Sequence, residues 1–153
     1  MEEIRIMVVD DFHQWRTTLQ SIVDGINGCR FVGDAENALE AIEKVALLHP
    51  DIVLLDIGLP TLNGIEAASR IQKASPHSRI IFVTQDLDSE TKAAALATGA
   101  EGYLLKSRVF DELEPAIKTA LKIDLSSPSF EAAAVEQETE IFSLPRESPA
   151  GVV

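Results

Sequence analysis

Three short runs of consecutive apolar residues punctuate the chain. They cover residues 6–9, 52–55 and 80–83, and none of them alternates with polar residues. Uninterrupted apolar runs of this length are typical of strands that are buried on both faces, as in a parallel sheet. Residues 31–33 and 102–105 are weaker candidates. The pattern therefore predicts five strands.

Helices are predicted between these strands, because apolar residues there recur every three or four positions. The first helix contains Phe12, Trp15, Leu19, Ile22, Val23 and Ile26 at this spacing. The second is expected from about residue 38 to residue 48, and Asn37 with Glu40 forms a capping-box pattern at its start. The third is expected to begin near Gly64.

Two further helices are predicted after the fourth strand. One is expected from Ser89 to about Thr98, because this segment is rich in alanine and Gly99 is a usual stop. The other has Leu113, Ala116, Ile117, Ala120 and Leu121 at helical spacing. Pro115 is expected near the first turn of this last helix, since a proline deeper in a helix costs about 3 kcal/mol.

The resulting order is a strand and then a helix, repeated five times between residue 4 and about residue 122. This alternation predicts an α/β, doubly wound fold, with a parallel sheet covered by helices on both faces. In such folds ligands bind beyond the carboxyl ends of the strands, where the strand order reverses. The residues at those ends are Asp10, Asp11, Asp56, Ile57, Gly58, Thr84, Gln85, Lys106 and Ser107.

Three of these residues are carboxylates: Asp10 and Asp11 follow the first strand, and Asp56 follows the third. Packed together they would repel one another, and a small divalent cation would remove that repulsion. Magnesium prefers carboxylate, water and phosphate oxygens, and the absence of His and Cys from the set argues against zinc. A carboxylate beside such a metal can accept a phosphoryl group, with Lys106 neutralising charge and Thr84 donating its hydroxyl.

Each of these residues also has a simpler explanation on its own. Asp10 and Asp11 could cap a helix, Asp56 could begin a turn, Thr84 could cap the next helix, and Lys106 could be a solvated charge. All of them, however, fall at predicted strand ends on one edge of the sheet. That coincidence favours a functional site over unrelated structural roles.

Five segments resemble the receiver domains of two-component response regulators. They are VVDD at 8–11, LLDIGLP at 54–60, NGIE at 63–66, FVT at 82–84 and GAEGYLLKS at 99–107. The DIGLP and LLKS segments are most similar to the nitrate/nitrite-regulator subfamily. The resemblance covers residues 4 to about 122 and implies a flavodoxin-like (βα)5 sandwich with five parallel strands in the order 2-1-3-4-5.

The resemblance also implies a role for each site residue. Asp56 would accept the phosphoryl group, and Lys106 would pair with that group. Asp11 would bind Mg²⁺, with Asp10 helping directly or through water, and the Gly58 backbone carbonyl would supply a further metal ligand.

Thr84 and Tyr103 would form the switch. Thr84 is expected to move toward the phosphoryl group while Tyr103 turns inward, so that phosphorylation favours one of two conformations. The implied partners are a sensor histidine kinase or phosphotransfer protein and a downstream protein, and the resemblance leaves a homodimer open. Catalysis would be limited to the protein's own phosphorylation and dephosphorylation, so a stand-alone metabolic enzyme is not expected.

Composition bears on location and on partners. The net charge is −12 and no basic patch is visible, which disfavours direct DNA binding. Cys29 is the only cysteine, as expected in a reducing compartment. No apolar run approaches the roughly 18 residues needed to span a membrane. We therefore expect a cytoplasmic protein without membrane contact.

Residues 124–153 are predicted to form a separate acidic tail after a receiver domain at 1–123. The first part carries 19 acidic and 12 basic side chains, and the tail carries 6 and 1. Residues 130–142 could form a short amphipathic helix that docks on the receiver or on a partner, or a solvated segment; the remainder is expected to be disordered. The tail is too short and acidic for a helix-turn-helix output domain. Either this receiver lacks that domain, or the chain is a fragment.

Two positions depart from the family's pattern, and three other protein classes are conceivable. Ser107 replaces a common proline, and Gln85 replaces a usual small residue and is expected to alter the phosphate lifetime. A pseudo-receiver would keep the fold without phosphorylation. A magnesium-dependent phosphatase would have a second acid where Gly58 lies. A flavin-binding protein would need a phosphate-binding loop in place of Asp10 and Asp11.

Overall fold

The computed structural model describes residues 3–85 and 88–122. The strands are β1 (Ile4–Val9), β2 (Cys29–Ala35), β3 (Ile52–Leu55), β4 (Arg79–Thr84) and β5 (Gly102–Leu105). The helices are α1 (His13–Asp24), α2 (Ala38–Leu48), α3 (Gly64–Ala74), α4 (Ser89–Leu96) and α5 (Val109–Leu121), and a 3-10 turn at Lys106–Arg108 precedes α5. All five predicted strands and all five predicted helices are present.

The five strands form one parallel sheet in the order β2-β1-β3-β4-β5. The predicted doubly wound α/β fold and its strand order are therefore confirmed. Because the order reverses at β1, the ends of β1 and β3 meet there, with Val9 paired to Leu55. Thr84 pairs with Leu105 at the end of β4 and β5. The carboxyl ends of β1, β3, β4 and β5 therefore lie along the same edge of the sheet.

The core explains why the three apolar runs do not alternate with polar residues. Every side chain in residues 6–9, 52–55 and 80–83 is at most 1% exposed. Helices cover both faces of the sheet, so successive residues of a central strand are buried whichever face they point to. Apolar residues of α2 and α3, such as Val45 and Ile71, complete the core on one face.

Three helices begin with a side-chain cap at the residue before the first turn. Asn37, Asn63 and Asp88 each accept a hydrogen bond from the backbone N–H three residues later, at the start of α2, α3 and α4. The predicted capping box is present with one change: Glu40 accepts from the N–H of Glu36 at 2.9 Å rather than from that of Asn37. These caps satisfy N–H groups that the helix itself leaves unpaired.

The helix ends differ from the prediction at three places. Helix α1 ends at Asp24, before Ile26, and α4 ends at Leu96, two residues before Thr98. The expectation that Pro115 lies near the first turn of α5 is wrong, because α5 begins at Val109 and encloses it. Pro115 is exposed, so water can hydrate the carbonyl that loses its helical partner, which lowers the cost of this placement.

The described residues fall into two units, one that ends at Ile117 and one that begins at Lys118. Only residues 118–122 of the second unit are described, and they hold the end of α5 and Lys122. The predicted tail and its helix lie outside the described residues, so the boundary after residue 123 stays a prediction. Among the helices described, none combines the length and apolar character that crossing a membrane requires.

Candidate functional site

The three carboxylates meet because the ends of β1 and β3 are neighbours. The N–H of Asp56 donates to the Val9 carbonyl at 2.9 Å, which extends the strand pairing one step beyond the sheet. Asp10 is anchored on its other side, where its N–H donates to the Ala35 carbonyl at 3.1 Å. As a result, one carboxylate oxygen from each of Asp10, Asp11 and Asp56 lies within 4.8 Å of the others.

Lys106 reaches this cluster from the end of β5. Its Nζ lies 2.7 Å from Oδ2 of Asp10 and 3.6 Å from Oδ2 of Asp56. All three residues are buried, and Lys106 is only 6% exposed. One ammonium therefore lies beside two of the three carboxylates, and the cluster keeps a net negative charge that burial makes costly.

The raised pKa of Asp56 reflects the cost of burying this negative charge. Burial raises the pKa of Asp56 above its usual range, and the charge of Asp10 raises it further. The ammonium of Lys106 and a hydrogen bond from the Gly58 N–H, at 3.3 Å, oppose this rise, while Asp11 adds to it. Asp56 is thus a carboxylate whose ionised form lacks sufficient positive charge nearby.

The donor set fits a hard divalent cation. Oδ1 of Asp10 accepts from the N–H of Phe12 at 2.9 Å. Its Oδ2 is buried, and within the part of the chain described its one polar contact is the ion pair with Lys106. A buried oxygen left in this way, beside two more carboxylates, matches the oxygen ligands that Mg²⁺ prefers. Asp11 is exposed, so the cluster opens to solvent on one side.

A cavity of about 420 Å³ lies over the cluster. Its lining includes the predicted residues Asp10, Asp11, Asp56, Gly58, Thr84 and Lys106, and also Gln85. The structure therefore brings together six of the seven predicted site residues. Tyr103, the seventh, packs against the core from β5, with the Nζ of Lys92 5.7 Å from its ring centre. It is not among the described lining residues.

Gly64 holds helix α3 against the backbone of the Asp56 loop. Its N–H donates to the Ile57 carbonyl at 2.8 Å. A Cβ on Gly64 would lie 2.6 Å from Cα of Ile57 and would also overlap the Asp56 carbonyl. Only glycine permits this approach, so the glycine of the NGIE segment helps to place the acceptor loop.

Two residues of α1 that the sequence analysis did not assign to the site lie against it. The ring of Trp15 is 5.1 Å from Nζ of Lys106, which is cation–π distance, and Trp15 lines the cavity. Arg16 donates from Nη1 to the Asp10 carbonyl at 2.8 Å. Trp15 was predicted as part of an apolar core stripe. Trp15 and Arg16 lie about one helical turn after Asp10 and Asp11, at the start of a predicted helix. That spacing could have indicated the contacts of both residues with the site.

Comparison with known proteins agrees with this geometry. The family model described as the response regulator receiver domain matches residues 6–118. The response regulator GacA of Pseudomonas viridiflava is 32% identical over 115 residues, which cover 75% of this chain and 54% of that protein. The nitrate/nitrite response regulator protein NarL of Escherichia coli K12 is 32% identical over 119 residues, covering 78% and 55%.

A solved structure gives the same result. The response regulator domain of Thermotoga maritima CheB has a TM-score of 0.74 and 34% identity, covering 80% of this chain and 99% of that chain. The chain spans about half the length of the curated relatives GacA and NarL. The comparisons therefore concern the receiver part of those proteins and not the activity of the remainder.

Proposed function

Because the chain belongs to the response regulator receiver family of two-component systems, we propose that it accepts a phosphoryl group on Asp56 in a Mg²⁺-dependent reaction. One observation carries the proposal. Asp56 is a buried carboxylate at the floor of an open cavity, with two further carboxylates and Lys106 around it. That is the donor set and the charge that an acyl-phosphate site needs.

Four residues would hold the metal ion. Asp10 would contribute its buried Oδ2, Asp11 would contribute a solvent-facing carboxylate, and Asp56 and the Gly58 carbonyl would complete the set. Bound Mg²⁺ would supply positive charge to the phosphate oxygens during transfer. The excess negative charge of the cluster supports this assignment.

The chain's own residues account for the transfer. A carboxylate oxygen of Asp56 attacks the phosphorus of a phosphohistidine; the new O–P bond forms as the P–N bond breaks, and the imidazole leaves and takes up a proton. Lys106 pairs with the transferred oxygens, because its ammonium already lies beside Asp56. Thr84, buried at the end of β4, offers a hydroxyl to the same group. Hydrolysis of the acyl phosphate returns Asp56.

The output of phosphorylation is a change of conformation that a downstream protein recognises. We assign the switch to Thr84 and Tyr103, which lie on the adjacent strands β4 and β5. Contacts to the phosphoryl group exist in only one of the two conformations, so phosphorylation favours that conformation. The phosphate source would be a sensor histidine kinase or a phosphotransfer protein in the cytoplasm, and the target a downstream protein. The pseudo-receiver alternative is not favoured, and the presence of Asp56, Lys106 and Thr84 around one cavity supports the acceptor role instead.

Chemical trapping of the phosphorylated residue tests the proposal. The protein is incubated with phosphoramidate and Mg²⁺, reduced with borohydride and digested, so that an aspartyl phosphate becomes homoserine. We expect homoserine at position 56, and none in the Asp56→Asn variant or in a sample with chelator. Homoserine at another aspartate, or a stable phosphohistidine at His13, would contradict the assignment.

A further inference from the structure

Helix α1 begins without the cap that the neighbouring helices have. Its N-cap position is Phe12, which provides no side-chain hydrogen bond, and its first turn carries no acidic residue. Helices α2, α3 and α4 all begin with a capping Asn or Asp. Yet the loop that leads into α1 is the one that carries Asp10 and Asp11. The contacts that hold this loop therefore come from residues other than the N-cap residue of α1.

Arg16 makes the contacts that hold it. Its Nη1 donates to the Asp10 carbonyl at 2.8 Å, and its Nε contacts Oδ2 of Asp34 at 2.9 Å. The Arg16 side chain is only 13% exposed. Because Asp34 belongs to β2 and Asp10 follows β1, a single guanidinium joins α1 to two strands. Its planar fork of donors suits two acceptors at once.

The contacts of Asp10 leave one of its carboxylate oxygens facing the acidic cluster. The Asp10 N–H is bound to the Ala35 carbonyl, and Arg16 binds the Asp10 carbonyl, so both sides of the residue's main chain are held. Oδ1 is occupied by the N–H of Phe12. The remaining oxygen, Oδ2, is then directed at Lys106 and the acidic cluster.

We propose that Arg16 is a positioning residue of the metal site: paired with Asp34, it fixes the Asp10 main chain so that Oδ2 is presented to Mg²⁺. The proposal rests on the proposed function, because it concerns the same metal site. It goes beyond that function in naming a residue outside the acceptor set that determines metal affinity.

The sign of the effect separates positioning from simple electrostatics. Removing a positive charge near three carboxylates would, by Coulomb attraction alone, strengthen cation binding. Removing a positioning contact weakens it, and loss of such outer contacts commonly costs about tenfold or more in metal affinity. Arg16→Ala is therefore expected to raise the Mg²⁺ dissociation constant about tenfold.

Lys44 provides the matched control. Its Nζ donates to the Asp34 carbonyl at 2.6 Å and contacts Oε2 of Glu40 at 2.9 Å. Within the described residues it makes no hydrogen bond or ion pair with Asp10. Lys44→Ala thus removes the same charge, and a contact to the same Asp34, without releasing the loop. Its dissociation constant is expected to be unchanged or lower.

The experiment is a Mg²⁺ titration of each folded protein by calorimetry, with the Trp15 fluorescence as a second readout. Asp34→Ala should reproduce the Arg16→Ala loss, the double variant should lose little more, and Arg16→Lys should rescue only part of the affinity. An unchanged or tighter dissociation constant in a folded Arg16→Ala protein would overturn the inference, whatever the result for Asp34→Ala. If the unmodified protein itself failed to bind Mg²⁺, the proposed function would be overturned instead. Circular dichroism checks folding, and Arg16→Lys, which keeps the charge but not the planar fork of donors, decides the result if Arg16→Ala does not fold.

Discussion

Asp56 illustrates how one side chain can be poorly suited to its environment and well suited to its chemistry. It is buried and lies beside two other carboxylates, and among the described residues a single ammonium, that of Lys106, lies close to it. A buried aspartate with a purely structural role normally accepts enough hydrogen bonds and ion pairs to compensate its charge. Here the cluster has more negative than positive charge, so it can bind a cation and accept a phosphoryl group. The same uncompensated charge lowers the stability of the metal-free fold.

That cost predicts a pH effect. Because the pKa of Asp56 is raised in the folded protein, the fold binds this proton more tightly than the unfolded chain does. Ionisation therefore destabilises the fold as pH rises through the raised pKa. In chelator at pH 7, Asp56→Asn should melt at a higher temperature than the unmodified protein, by roughly 4 °C, and the difference should shrink as pH falls.

Scanning calorimetry between pH 4 and pH 8 checks this effect. The exposed Glu43, in the middle of α2, provides the control, and Glu43→Gln should leave the melting temperature nearly unchanged at each pH. If Asp56→Asn melted at the same temperature as the unmodified protein across this pH range, the claim that ionised Asp56 destabilises the metal-free fold would be contradicted. Added Mg²⁺ should raise the melting temperature of the unmodified protein more than that of Asp56→Asn.

Gln85 offers a second test at the residue scale. It is exposed and lines the cavity beside Thr84. A long amide there can shield the acyl phosphate or orient a water molecule. We expect Gln85→Ala to change the dephosphorylation rate severalfold with the phosphorylation site unaltered. The decay of phosphorylated protein, followed by mass, measures this, and an identical half-life would rule the role out.

Among the elements, α3 has the most direct effect on the acceptor, because it begins where the Asp56 loop ends. Asn63 caps α3, and Gly64 allows its first turn to contact the loop backbone. The capping pattern and the helix starts were predictable, since they depend on neighbouring residues. The position of Pro115 inside α5 was not, because apolar spacing shows which residues share a face but not where a helix begins.

The close approach of α3 predicts a large effect of one added methyl group. Gly64→Ala must move the helix or the Asp56 loop, and we expect it to cost about 3 kcal/mol in the free energy of unfolding. Gly25→Ala is the matched control, because a Cβ there lies 3.5 Å from the nearest atom, an ordinary contact. Urea denaturation of both variants measures the difference. Equal stabilities would show that the loop is not held by this contact.

At the scale of the whole molecule, the strand order explains how Asp10 and Asp56, which are 46 positions apart in the sequence, form one site. The apolar runs predicted a parallel sheet, and the rule for strand ends then selected Asp10, Asp11, Asp56, Thr84 and Lys106 before any coordinates were considered. Burial, the raised pKa of Asp56 and the contacts of α1 were not predictable in this way. They depend on how helices pack over the sheet, which one-dimensional spacing does not specify.

The most direct test of the central claim is the intact mass of the protein after incubation with phosphoramidate and Mg²⁺. The account predicts a gain of one phosphoryl group in the unmodified protein. The gain should be absent in Asp56→Asn and should be lost when a chelator is added. An equal gain in Asp56→Asn, or no gain in a folded, Mg²⁺-saturated protein, would contradict the claim that Asp56 is the metal-dependent acceptor.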